Sequence, residues 1–182
     1  MANLMTKILT ATCCLAAFNL AMKEGIPASG YHINLTDSLP RGIYRDTQQP
    51  ITYGVLVAEC LPQHWAELAV KRGWLGAGTC ANGTTPILKK VVGMPGDTVT
   101  LTNAYVAVNG KVLLGTASLL LDSQGREIPR VKRGTYVLAE DEYWLIADNI
   151  VNSLDSRYMG PAKRKDIVTT AEPVWVEAAN NE

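Results

Sequence analysis

The sequence has no net charge, because 17 Lys and Arg balance 17 Asp and Glu over 182 residues. No long basic stripe occurs, which argues against a nucleic-acid binder, since that affinity is built on neutralised phosphates. Histidine is scarce, with only His32 and His64, and none of the four cysteines forms a CxxC pair. A zinc centre therefore lacks a recognisable ligand set, and neither a metal nor a cofactor is expected. There is no internal repeat and no low-complexity tract. A charged fraction of 19% beside 47% hydrophobic residues argues against disorder, and the length suits one domain with its own core.

What is present begins with an apolar run. Between Leu4 and Met22 the single charge is Lys7, and Lys23 and Glu24 close the run. Its length is that of a signal-peptide core and slightly short of the roughly 20 residues that span a bilayer. Asn19 and Ala21 make a poor cleavage site, so residues 1–24 are expected to be an uncleaved membrane anchor, with a signal sequence or a buried core helix as alternatives. Cys13 and Cys14 lie inside this run, and Cys60 and Cys80 outside it. In an exported chain Cys60 and Cys80 could close a loop of about 20 residues, worth about 3 kcal/mol by loop entropy; two unpaired core thiols are the other reading.

Beyond the anchor, residues 30–178 are expected to form one domain. One helix is predicted over Gln63–Trp74, after Pro62, where Trp65, Leu68, Ala69 and Arg72 recur at helical spacing. Short runs rich in Val, Ile, Thr and Tyr predict strands over Thr52–Glu59, Ile87–Val92, Thr98–Thr102, Ala104–Val108, Gly134–Leu138, Tyr143–Ala147 and Val174–Glu177. The pattern is that of a mainly β, compact antiparallel domain. Asn109-Gly110 makes the clearest hairpin, since both residues tolerate positive φ. Ser118–Arg133 reads as an inserted, partly exposed hairpin or loop.

Three segments carry possible chemistry. In Asn34–Tyr44, Ser38 stands before Pro40 and Gly42, which constrain its presentation, although serines so placed are commonly turn residues. In Ile87–Asp97, Lys89 and Lys90 lie within an apolar strand and face opposite ways. Burial lowers a lysine pKa and can make a general base, while an edge strand uses lysines against aggregation; periodicity does not say which lysine is buried. The third segment holds Asp148 and Asn149, then Asn152–Pro161. If extended, its Ser153, Asp155 and Arg157 share one side, allowing an ion pair and a hydroxyl that orients an amine.

In this order and spacing, the anchor, the serine followed by proline, KKVVGMPGD and SLDSRYMG resemble the type I signal peptidase family of membrane-anchored serine/lysine proteases. NLTDSLPRGIY is most similar to the TraF-type conjugative-transfer branch, and the likeness runs from about Ile33 to Trp175. The resemblance implies the signal-peptidase type of β fold, Ser38 as nucleophile and Lys89 as general base. It also implies Thr36 as a donor to the oxyanion beside the Ser38 amide, Asp155 counted with the catalytic residues, Arg157 as its supporting partner and Ser153 beside the amine. Leu39 leads to Pro40 one residue sooner than in general signal peptidases, Ala147 replaces a glycine, and the large second β domain of some members has no counterpart.

For this branch the implied substrate is a pilin precursor, cut near its C-terminus and joined head to tail, on the periplasmic face of the inner membrane and near the conjugation machinery. A general signal peptidase removing leader peptides, and a β-rich accessory of a secretion system without catalysis, are the competing expectations.

Overall fold

The computed structural model describes residues 30–147 and 151–177. The expected anchor, Cys13, Cys14, Asp148 and Asn149 lie outside the described residues. Eleven strands occur among those described: β1 Tyr31–Asn34, β2 Gly42–Thr47, β3 Leu56–Glu59, β4 Ile87–Gly93, β5 Thr98–Leu101, β6 Val106–Val108, β7 Lys111–Leu113, β8 Gly134–Val137, β9 Glu142–Ile146, β10 Ala162–Lys163 and β11 Ile167–Val176. Helix α1 spans Gln63–Lys71 and the single turn α2 spans Ser156–Met159. A seven-stranded sheet runs β1-β2-β11-β3-β4-β9-β10, and a four-stranded sheet runs β7-β6-β5-β8. Every pairing is antiparallel, as the run of short strands and turns predicts.

Alternation along β4 places its residues on two faces, and both are covered. Leu88 joins Leu39, Tyr44, Ala58 and Ala171 in one core cluster, while Val91 joins Val57, Leu145, Ala162 and Ile167 in another. A third cluster, built on Val99, Leu101, Val106, Trp144 and Ile146, joins the small sheet to β9. A strand buried on both sides carries no amphipathic signature, so the pattern of β4 alone left the two lysines equivalent.

The turns follow from their residues. Asn109 and Gly110 have φ of 50° and 80°, which gives the expected reversal between β6 and β7. Asp97 pins that hairpin to the GMPGD loop, accepting from Met94 N at 2.7 Å, Asn109 Nδ2 at 2.7 Å and the Tyr53 hydroxyl. α1 stops at Lys71, three residues sooner than predicted, with Gly73 at φ 73°. At the start of β2, Gly42 has φ 156°, and a Cβ there would lie 2.1 Å from the Trp175 carbonyl oxygen of β11. Only glycine allows that close approach, and it sets where the loop before β2 leaves the sheet.

Candidate active site

Ser38 sits in the loop that joins β1 to β2, a loop closed at its base by the Asn34–Gly42 pair. Asn34 organises it. Its Nδ2 donates to the carbonyls of Thr36 at 2.9 Å, Leu39 at 2.9 Å and Pro40 at 3.2 Å, while its Oδ1 accepts from Thr36 N at 3.3 Å and Thr36 Oγ1 at 2.8 Å. The residues on either side of Ser38 are tied as well. Asp37 pairs with Arg41, Leu39 is buried, and the Tyr44 hydroxyl donates to the Pro40 carbonyl at 2.6 Å. Ser38 Oγ then stands 2.9 Å from Thr36 Oγ1 at a half-buried position.

Lys89 stands on β4, paired across to Val57 of β3, and is only 3% exposed. Lys90, on the other face, remains partly exposed. Burial lowers the Lys89 pKa, because a charged amine loses its hydration there. Asp155 and Glu59 pull it back up, and Arg157 lowers it further. The amine makes no hydrogen bond among the described residues, the Ser153 hydroxyl included. Ser38 and Lys89 line one cleft of about 920 Å³, together with Thr36, Asn34 and Ser153. Leu39, next to the serine, and Leu88, next to the lysine, belong to the same core cluster, which packs the serine loop against β4.

Behind the cleft, Asp155 and Arg157 are both fully buried. Asp155 Oδ1 accepts from Arg157 Nε at 2.8 Å, and Oδ2 accepts from Nη2 at 2.7 Å and from Ala147 N at 3.0 Å. Arg157 also donates to the Ala117 carbonyl at 2.8 Å. Burial works against the guanidinium, yet the hydrogen bonds and charge of Asp155 outweigh it and raise its pKa. The pair forms by a different route from the extended one predicted. Asp155 is extended and caps α2, accepting from Arg157 N at 3.1 Å, and Arg157 lies within that helical turn. Ser156 Oγ accepts from Leu145 N at 2.9 Å, which fixes α2 to β9. Asp155 does not line the cleft; it reaches Lys89 through its field.

The segment Trp74–Thr79 forms another part of the cleft wall. Cys60 and Cys80 are joined by a disulfide across a separation of 20 residues, closing the loop that contains α1 and this wall. The inserted segment adds Asp122, Ser123 and Ile128 to the lining. Two contributors escaped the sequence reading. Asn34 orders the loop that carries Ser38, and an Asx residue two positions before a threonine is a recognisable local signal. Glu59 is a second buried carboxyl whose charge reaches Lys89, and nothing in an apolar strand marks it.

Residues 3–176 match the model of the signal peptidase family, peptidase S26. The chain belongs to that family, and its class is that of the serine peptidases. The plasmid transfer protein TraF of Escherichia coli is 33% identical over 175 residues, covering 96% of this chain and 98% of that protein. The conjugal transfer protein TraF of Agrobacterium tumefaciens is 31% identical over 164 residues, covering 88% and 90%. Signal peptidase I V of Bacillus subtilis is 30% identical over 89 residues, which is 45% of this chain and 53% of that protein. Likeness to the TraF proteins thus extends over nearly the whole chain, and likeness to this general signal peptidase over under half of it.

Proposed function

We propose that this chain is a conjugative-transfer peptidase that cleaves a pilin precursor through an acyl-enzyme on Ser38, with Lys89 as general base, and closes the product into a ring. The observation that carries the reading is the shared cleft: a hydroxyl and a dehydrated amine line the same cavity, and their neighbours Leu39 and Leu88 share one core cluster. Near-full-length likeness to TraF proteins favours the conjugative branch over general leader-peptide removal.

Neutral Lys89 takes the Ser38 proton as Oγ attacks the scissile carbonyl. The oxyanion that forms is met by the Ser38 amide and the Thr36 hydroxyl. Lys89 then returns its proton to the departing amine, leaving the acyl-enzyme. The N-terminal amine of the same substrate attacks that ester and gives a proton to Lys89, which passes it back to Ser38 Oγ as the ester breaks. Proximity of the two substrate ends favours this route over water. Ser153 lines the same cleft without bonding the amine in this structure and is the hydroxyl that would meet it once it is charged, while the charge of Asp155 favours the protonated form. The apolar N-terminus would hold the domain at the periplasmic face of the inner membrane, a compartment where the Cys60–Cys80 disulfide persists.

Mass spectrometry of a pilin precursor incubated with the full chain tests this. A shortened product lighter by one water than the linear fragment is expected. A linear fragment alone would reduce the activity to hydrolysis, and maturation by both Ser38→Ala and Lys89→Ala would end the enzyme reading.

A further inference from the structure

Glu59 lies at the end of β3, 2% exposed, with Oε2 fully buried and without a hydrogen-bond partner among the described residues. The β3–β4 register pairs Val57 with Lys89 and Glu59 with Ile87. Directly opposed residues share a face, and so do residues two apart, so the Glu59 and Lys89 side chains leave the same face on a diagonal. Long side chains on such a diagonal can meet. The two groups act on each other: the lysine lowers the Glu59 pKa and the glutamate raises that of Lys89.

Charge balance shows why this matters. Every proton transfer from Ser38 creates an ammonium where water is excluded. Asp155 is already engaged by Arg157 and by backbone amides, yet its charge still reaches Lys89 ahead of that of Glu59, with Arg157 opposing both. Other groups near the carboxyl are Asp166, which raises its pKa, and Asp155, which does the same. Lys90 points to the opposite face, and Asp37 and Arg41 pair with each other in the exposed loop. Burial holds the Glu59 pKa up at about 8, so it ionises in the range where a neutral lysine is needed.

We propose that Glu59 is a positioning residue for the dyad: its buried carboxyl, on the same sheet face as the Lys89 amine, adds a counter-charge to that of Asp155 when the amine takes the Ser38 proton. The proposal rests on the dyad reading above. No proton leaves Glu59 in the step; one O–H bond breaks at Ser38, one N–H bond forms at Lys89, and the carboxylate receives the new cation.

Carbon-detected NMR of the full chain, labelled at lysine Cε and glutamate Cδ, separates this proposal from the reading beneath it. In the wild type, Lys89 Cε should titrate well below an ordinary lysine, and Glu59 Cδ should show its own inflection and a second one at the lysine midpoint. Glu59→Gln should lower the Lys89 midpoint by about one pH unit, as loss of a nearby opposite charge does. The acid limb of the activity profile should move with it, and Glu59→Asp should restore most of the shift. An unmoved lysine midpoint in Glu59→Gln overturns the proposal while leaving the dyad intact. A Lys89 that titrates like a free lysine overturns the dyad instead. If Glu59→Gln does not fold, a single-step Glu59 titration in the wild type is enough to reject the coupling.

Discussion

Thr36 Oγ1 donates its proton to Asn34 Oδ1 at 2.8 Å, so in the 2.9 Å contact between Thr36 Oγ1 and Ser38 Oγ the serine is the donor. The Ser38 proton is therefore directed at Thr36. The proposed acylation would require that proton to swing to the Lys89 amine and the Thr36 hydroxyl to turn from Asn34 to the substrate oxygen.

Thr36→Val removes a donor from the place where negative charge develops while keeping the side chain's shape. The expected result is a fall in kcat of about 10²-fold with KM little changed, and Thr36→Ser should retain most activity. Steady-state cleavage of a precursor peptide checks it, and wild-type turnover by Thr36→Val would remove Thr36 from the mechanism.

Activity should rise with pH through a midpoint below that of an ordinary lysine, about 10.4, because burial lowers the Lys89 pKa and only the neutral amine accepts a proton. Initial rates from pH 5 to 10 report that midpoint. A curve that climbs only above pH 10 contradicts a buried base.

Stability should move the other way over part of that range. The folded pKa of Glu59 is raised to about 8, so its contribution is fully present below the unfolded value of about 4.3 and is lost as pH rises through about 8. Urea midpoints measured from pH 5 to 8 should decline, and Glu59→Gln should flatten the decline.

Asp155→Ala strands a guanidinium that is wholly buried. Loss of about 3 to 5 kcal/mol is expected, as for other buried pairs broken on one side. Chemical denaturation checks it, and a cost under about 1 kcal/mol would mean that Arg157 finds other partners.

The double variant Cys60→Ser/Cys80→Ser should lose about 3 kcal/mol, the value for a loop of this length. Reductant should shift the wild-type urea midpoint by a similar amount and leave the variant unmoved.

Much of the architecture can be read from local chemistry. The Asn109-Gly110 reversal, α1 and the Cys60–Cys80 link all depend on residues close to them in sequence or in space. β1 and β2 do not: Tyr31–Asn34 is only partly covered, and Arg45 and Asp46 break the apolar alternation of β2. β3 begins at Leu56 because Thr52–Val55 forms a turn, with Val55 N donating to Thr52 O. β11 starts seven residues before the predicted run, since Pro173 interrupts the pattern and a register shift separates it from Trp175. Family likeness, and not pattern, singled out Lys89 over Lys90, because both faces of β4 pack against core. Glu59 stayed hidden for a similar reason, as a charged residue in an internal strand shows its partners only after the sheet has assembled.

Ser38 and Lys89 have unequal footing. Lys89 belongs to an interior strand with neighbours on both sides, whereas Ser38 hangs from a loop beside β1, an edge strand of the sheet. Sheet margins open at lower cost than sheet centres. Warming should therefore separate hydroxyl from amine before the two sheets give way, and catalytic inactivation should precede the loss of circular dichroism by several degrees.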